Sequence, residues 1–160
     1  MKQLRFVIPI ILLCALTAEA QRPAPEARLS AGWGGFADNA WLSHGMLGGS
    51  VRYYLTRRVA IEPEILLMAG PGTDRDVTVI PHLSFDFRPG KPVRPYIIGG
   101  YGVLHHSESF NGYTYGSNGP TFNFGFGVRI PITPKVFIAP EFRIGWEPFL
   151  RPSAAVGFTF

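Results

Sequence analysis

The chain has 160 residues, a formal charge of +4 at pH 7, and Gly 19, Pro 15 and Phe 13. That length holds one domain at most, and the charge is too small and too scattered to point to nucleic acid. Few Lys and Glu beside so many Gly, Pro and aromatic residues argue against a soluble helical protein and for strands joined by turns.

The first segment follows its own rule. Lys2 and Arg5 precede an apolar run over residues 6–18, and Ala18-Glu19-Ala20 puts small residues at the two positions a signal peptidase reads. The pattern predicts a signal peptide over residues 1–20, cleaved after Ala20. As a membrane helix the run would be short of the roughly 20 apolar residues a span needs, and Pro9 interrupts it. Cys14, the single cysteine, lies inside this segment, so the mature chain is expected to carry no thiol and no disulfide. Leu13 before it is not small, which argues against lipidation. Loss of Lys2, Arg5 and Glu19 lowers the formal charge from +4 to +3.

Residues 21–26, with Pro23 and Pro25, read as an extended lead-in to a single domain over residues 27–160. Alternation then begins, with Leu29, Ala31 and Trp33 opposite Arg28, Ser30, Gly32 and Gly34. After a loop over residues 37–44, a second strand over 46–55 sets Val51, Tyr53 and Leu55 against Arg52 and Tyr54. Thr56-Arg57-Arg58 turns it into a third, 59–68, where Ile61, Ile65 and Leu67 oppose Glu62 and Glu64, and Pro63 weakens the ladder. A loop over 69–76 leads to a fourth strand, 77–88, with Val77, Val79, Leu83, Phe85 and Phe87 against Thr78, His82, Ser84, Asp86 and Arg88.

Pro89-Gly90-Lys91-Pro92 is a turn by composition. The fifth strand, 94–104, places Ile97, Tyr101 and Val103 opposite Tyr96, Gly100 and Gly102, and residues 105–119 form the longest expected loop. The sixth, 121–132, is the clearest: Phe122, Phe124, Phe126, Val128 and Ile130 face away from Asn123, Gly125, Gly127 and Arg129. A turn at Thr133-Pro134-Lys135 gives a seventh, 136–146, with Ile138, Phe142, Ile144 and Trp146 against Glu141 and Arg143. The last strand, 153–160, alternates Ala154, Val156, Phe158 and Phe160 with Ser153, Ala155, Gly157 and Thr159.

Eight strands, joined alternately by longer loops and short turns, allow closure in up-and-down order. The expected fold is all-β: an eight-stranded antiparallel up-and-down transmembrane β-barrel. A soluble barrel would turn its continuous apolar face inward. Here the other face is rich in Gly and small residues, which suits a lumen that eight strands only just enclose. The bulky face is therefore expected outward. Arg28, Arg52, Glu62, Glu64, Asp86, Arg88, Arg129, Glu141 and Arg143 are expected inside as an ion-pair network, because unpaired charges in hydrocarbon are costly. Trp33, Tyr53, Tyr101, Trp146, Phe158 and Phe160 lie toward strand ends, where aromatic girdles sit.

The segment Arg94-Pro95-Tyr96-Ile97-Ile98-Gly99-Gly100-Tyr101-Gly102-Val103 is similar to a Pro-Tyr-x-x-x-Gly-x-Gly strand common among small outer-membrane β-barrels of the OmpA-like and OmpX-like type. Pro140-Glu141-Phe142-Arg143 and the terminal Phe160 also match, and the resemblance spans the expected mature chain. It implies residence in the outer membrane among its lipids. It also implies an insertion signal, Phe158 and Phe160 in the closing strand, read by the barrel-assembly machinery. One departure stands out: the expected outer loops are mildly acidic, with Asp38, Asp74, Asp76, Glu108 and Glu147 against Arg75 and Arg151, where many family members carry basic loops toward lipopolysaccharide phosphates.

His105-His106-Ser107-Glu108 could suggest a lipid hydrolase at the outer leaflet, since alternation puts His105 and Ser107 on one face. Nothing in the sequence supplies the orienting acid or oxyanion donors, so a polar loop base is the expected reading. The same His pair with His44 could hold a metal only if two loops converge. Glu62, Glu64 and Glu141 fit a lumen network better than paired catalytic carboxylates, because Arg52, Arg129 and Arg143 are available as partners. Gly99-Gly100-Tyr101-Gly102 lacks the Lys and helix of a phosphate loop. The expected protein is thus a monomeric, non-enzymatic barrel with a plugged polar lumen and no cofactor, acting through its surface loops. A narrow passive pore for small solutes is the alternative, and an outer-leaflet lipid-modifying enzyme a third.

Overall fold

A computed structural model describes residues 22–37, 41–146 and 149–160. The expected signal peptide, with Ala18 and Ala20, lies outside the described residues. Eight strands follow in order: β1 (Glu26–Ala37), β2 (Trp41–Tyr54), β3 (Val59–Ala69), β4 (Arg75–Asp86), β5 (Arg94–Phe110), β6 (Tyr113–Pro131), β7 (Val136–Gly145) and β8 (Phe149–Thr159). Each pairs antiparallel with the next, and β1 closes on β8 through partners such as Leu29 and Val156, giving one closed barrel. All edges are thereby removed, the condition under which a sheet can lie in hydrocarbon.

The alternation sets which side meets lipid. Phe122, Phe124 and Phe126 are 38, 55 and 59% exposed, whereas Arg52 and Glu62 across the wall are fully enclosed. The apolar face is therefore outside, as the Gly-rich opposite face requires. Glycine is needed where backbones or rings crowd the wall. A Cβ on Gly127 would lie 2.6 Å from the Tyr96 ring, and one on Gly102 would run into the Val79 carbonyl oxygen of the neighbouring strand.

Strand ends differ from expectation mainly at the end away from the termini. The longest expected loop is instead a continuation of β5 and β6, paired from Leu104↔Gly119 up to Phe110↔Tyr113. Its turn is Asn111-Gly112, with φ of 51° and 80°. Positive φ at both central residues is the type I′ geometry whose twist matches the flanking strands, and Asn-Gly supports it at little steric cost. β8 starts at Phe149 rather than 153, and β1 at Glu26, one residue earlier than expected. The short turns, at residues 55–58, 87–93 and 132–135, all lie at the end that carries both termini. In outer-membrane barrels that end faces the periplasm.

Inside, the barrel is layered along its axis. Near the periplasmic end Phe137, Ala139 and Ala155 pack together. Charged and hydrogen-bonding side chains fill the middle. Toward the outer end Met46, Leu66, Met68 and Phe149 form an apolar layer, joined by Phe36 and Leu104.

Candidate functional site

The middle layer is a connected ladder of opposite charges. At its lower end Arg129 Nη2 lies 2.7 Å from Glu26 Oε2, and Arg129 Nη1 lies 3.4 Å from Asp86. Arg94 spans the same two acids at 3.3 and 3.8 Å. Asp86 then meets Arg52 Nη1 at 3.3 Å, and Arg52 Nε donates to Glu62 at 2.5 Å. Glu62 also accepts from Arg28 Nη1 at 2.7 Å, and Arg28 reaches across to Glu141. Arg143 donates to Glu141 from Nη2 at 2.6 Å and to Glu64 from Nη1 at 3.0 Å. Arg151 ends the ladder with two bonds to Glu64, 2.7 and 2.9 Å.

Aromatic and neutral groups complete it. Tyr96 donates its hydroxyl to Glu141, and its ring carries the Arg52 guanidinium 4.5 Å from the centroid. Arg129 lies 4.8 Å over Phe137. His82 engages Asn123 Oδ1 at 2.9 Å. Charges so placed are buried in protein and paired, which is how ionic groups persist at membrane depth.

Of the residues assigned to the lumen from sequence, Arg28, Arg52, Glu62, Glu64, Asp86, Arg129, Glu141 and Arg143 meet in this ladder. Arg88 does not: β4 ends at Asp86, and Arg88 is exposed in the turn that follows. Chain reversal at Pro89-Gly90 breaks the alternation that placed it inward. Glu26, Tyr54, Arg94 and Arg151 were missed. Glu26 and Arg151 shared a face with Arg28 and Ser153 by strict alternation, but Pro25 and Pro152 beside them read as loop signals. Arg151 and Asp76, expected in acidic or basic outer loops, instead point into the barrel and are buried. Phe158 faces outward, its ring 5.6 Å from that of Phe160, and the Phe160 amide donates to Pro25 O at 3.1 Å.

Above the apolar layer four side chains converge at the outer mouth. His44 Nε2 lies 2.9 Å from Asp74 Oδ2 and 3.3 Å from Asp76 Oδ2. His106 Nδ1 lies 2.8 Å from Asp76 Oδ1 and 3.5 Å from Asp74 Oδ1. His106 is on β5 beyond the aromatic belt at Tyr101, and its hydrogen bond to Asp76 raises its pKa above the ordinary imidazole value. Asp74 is fixed by its loop: Gly70 N donates to Asp74 O at 3.0 Å, and Arg75 Nη1 donates to that same oxygen and to Gly72 O at 2.5 and 3.2 Å. Thr73 Oγ1 donates to Ser109 O at 2.8 Å and accepts from Ser109 N at 3.0 Å, tying the loop to β5.

The β5–β6 hairpin rises above this mouth, with Tyr113 and Tyr115 70 and 62% exposed. His105 pairs through Nδ1 with Asn118 Oδ1 at 2.8 Å, across the hairpin. The two adjacent histidines thus serve different elements, His105 the hairpin and His106 the mouth.

A family model described as outer membrane protein beta-barrel domain matches residues 6–148. No curated protein sequence matches the chain. Among solved structures, Neisserial surface protein A superposes with a TM-score of 0.76 at 14% identity, over 85% of this chain and 97% of that one. The N-terminal β-barrel domain of Pseudomonas aeruginosa OprF gives 0.70 at 19%, over 87 and 98%. Ail, the attachment invasion locus protein of Yersinia pestis, gives 0.56 at 12%, over 86 and 99%. At these identities the likeness is one of fold.

Proposed function

The chain belongs to the outer membrane protein β-barrel family and is an outer-membrane protein; from that premise we propose that it is a closed, non-conducting and non-enzymatic barrel acting through its outer surface. One observation carries the reading: the lumen is filled from Glu26 to Arg151 by paired charges and capped by the apolar layer of Met46, Leu66, Met68 and Phe149. A solute crossing it would have to break buried ion pairs, each costing about 3–5 kcal/mol when one partner is lost. Among the described residues, the β5–β6 hairpin offers exposed tyrosines for contact outside, a residue type favoured in binding surfaces because it offers large contact area with little entropy to lose. Ail, of the same fold, has a structure in complex with the heparin analogue sucrose octasulfate. On this reading residues 1–20 direct export, Phe158 and Phe160 are recognised by the barrel-assembly machinery, and the barrel works as a monomer in lipid.

The test is electrical. Purified protein in planar bilayers should show no stable unitary conductance, while a variant that opens the ladder, Arg143→Ala with Arg151→Ala, gains channel activity. Stable single-channel steps from the unmodified protein overturn the reading in favour of a pore. A change in envelope lipid composition on replacing His105 and Ser107 would favour an enzyme.

A further inference from the structure

The four side chains at the outer mouth are a different matter from the lumen ladder. We propose that His44, Asp74 and Asp76 hold a divalent transition ion of the zinc type, with His106 as a positioning residue on the second oxygen of Asp76. Zinc takes imidazole nitrogen and carboxylate oxygen at about 2.0–2.2 Å, so neighbouring donors of a tetrahedral site stand roughly 3.3–3.5 Å apart. His44 Nε2 lies 2.9 and 3.3 Å from the Oδ2 atoms of Asp74 and Asp76, on or just inside that edge length, whereas His106 Nδ1 faces the Oδ1 atoms of the same two carboxylates. Donor atoms of His44, Asp74 and Asp76 all lie within 4.8 Å of one another. A small outward breathing of these three about a central ion brings them to bonding distance and leaves a fourth position for water.

Burial and charge point the same way. His44 and Asp76 side chains are only 2 and 6% exposed, and Asp74 13%. Two carboxylates thus face one another in a largely dry mouth, and among the described residues they pair with His44 and His106 rather than with any Arg or Lys. The Arg75 guanidinium, close in sequence, is turned to backbone carbonyls instead. His44 Nδ1 and Asp74 Oδ1 are buried without a hydrogen-bond partner. A dication neutralises both acids at once.

The backbone is shaped for the cluster. A Cβ on Gly70 would collide with the Asp74 carboxylate and stand 2.5 Å from His44 Nε2, so only glycine leaves that space free. Phe36 packs edge-on to the His44 ring, centroids 4.9 Å apart, and holds its orientation. The Thr73–Ser109 bonds fix the acid-bearing loop to the strand that carries His106. His106, 37% exposed, opens the site to solvent outside the barrel. An imidazole nitrogen with two carboxylate oxygens suits zinc and its neighbours over calcium or magnesium, which take oxygen donors and higher coordination. The site lies above the apolar layer, so it stands whether or not the lumen conducts.

The test uses the full mature barrel without a histidine tag, refolded in detergent, stripped with chelator and titrated with zinc chloride by calorimetry. One equivalent per chain is expected. Asp76→Asn should weaken binding by at least about 100-fold, and His106→Asn, which removes the partner of the second Asp76 oxygen, by about 10–100-fold. Gly70→Ala should weaken it as well, and His105→Ala should leave it unchanged. Each variant is checked for the gel shift of a folded barrel, so a folding failure is separated from a lost ligand. With cobalt(II) in place of zinc, intense visible absorption is expected for a four-coordinate site. Absence of stoichiometric zinc, undiminished affinity in folded His106→Asn and Asp76→Asn, or the pale spectrum of six-coordinate cobalt overturns the assignment.

Discussion

Glu64 offers the sharpest way to test whether the lumen ladder is dry. Its carboxylate accepts from Arg143 Nη1 at 3.0 Å and from Arg151 at 2.7 and 2.9 Å, and all three side chains are at most 3% exposed. Glu64→Gln keeps the shape and removes the charge. Arg143 retains Glu141 at 2.6 Å, but Arg151 has both of its ion-pair bonds on Glu64, so one guanidinium is left in a closed interior without a counter-charge. Breaking a buried pair from one side costs about 3–5 kcal/mol. With a urea dependence of about 1–3 kcal/mol per M, the unfolding midpoint should fall by at least about 1 M. The assay is urea unfolding in lipid vesicles, followed by tryptophan emission and by the gel mobility of unheated samples. Replacing both partners, Glu64→Met with Arg151→Met, should recover most of the loss, since apolar substitution of a whole buried pair is close to neutral. If Glu64→Gln unfolds at the unmodified midpoint, the arginine is solvated, the lumen holds water, and the argument for a closed barrel fails with it.

Two further substitutions probe the wall. Phe126→Arg puts a charge on the lipid face of the part of β6 below the hairpin extension, where the side chain is 59% exposed, and should cost about 2–4 kcal/mol in the same assay; a change under about 0.5 kcal/mol would mean that this face is not in hydrocarbon. Gly102→Val drives a branched side chain into the Val79 carbonyl of the neighbouring strand, and should leave little heat-modifiable barrel in the membrane fraction, whereas Gly119→Val, with open space around it, should assemble normally. Equal yields from the two would show that β5 is not packed as described.

How far the sequence carried this fold depends on what each residue's neighbours made legible. Strand number, order and facing were readable because lipid and lumen impose opposite demands on alternate residues, and β6 states both without interruption from Phe122 to Ile130. Strand ends toward the outer surface were not. Residues 105–119 look like a loop because Ser, Gly, Asn and Tyr carry no apolar face, yet a two-stranded extension above the membrane needs none: both its faces meet water, and Asn111-Gly112 supplies the turn. Pro25 and Pro152 hid Glu26 and Arg151 because proline usually marks a break, though at a strand's start or at a position facing lipid it removes little. The mouth cluster was the least legible part. His44, Asp74, Asp76 and His106 are spread over 63 positions of sequence and meet only because the register places Asp76 opposite His106 and carries β2 past Ala69.

The ladder also answers a problem that lipid creates. Outside the wall, one apolar residue is as good as another, so hydrocarbon does little to choose between registers. Inside, Arg28 of β1 ties to Glu62 of β3, Arg52 of β2 to Asp86 of β4, Arg129 of β6 to Glu26 of β1, and Glu64 of β3 to both β7 and β8. These bonds join strands that are not neighbours in sequence, and they exist in one register alone. A slip of one residue in β3 would turn Glu62 and Glu64 toward lipid, leave Arg151 without a partner, strip Arg28, Arg52 and Arg143 of one partner each, and bring Ile61 and Ile65 inward. A carboxylate facing the bilayer midplane carries a cost of its own, and a buried arginine stripped of its partner costs about 3–5 kcal/mol, so the misaligned barrel is disfavoured by more than any single hydrogen bond of the ladder could supply. The buried charges therefore act less as glue than as a key to register, and the glycines opposite them, Gly100, Gly125, Gly127 and Gly157, keep the lumen wide enough for that key to fit.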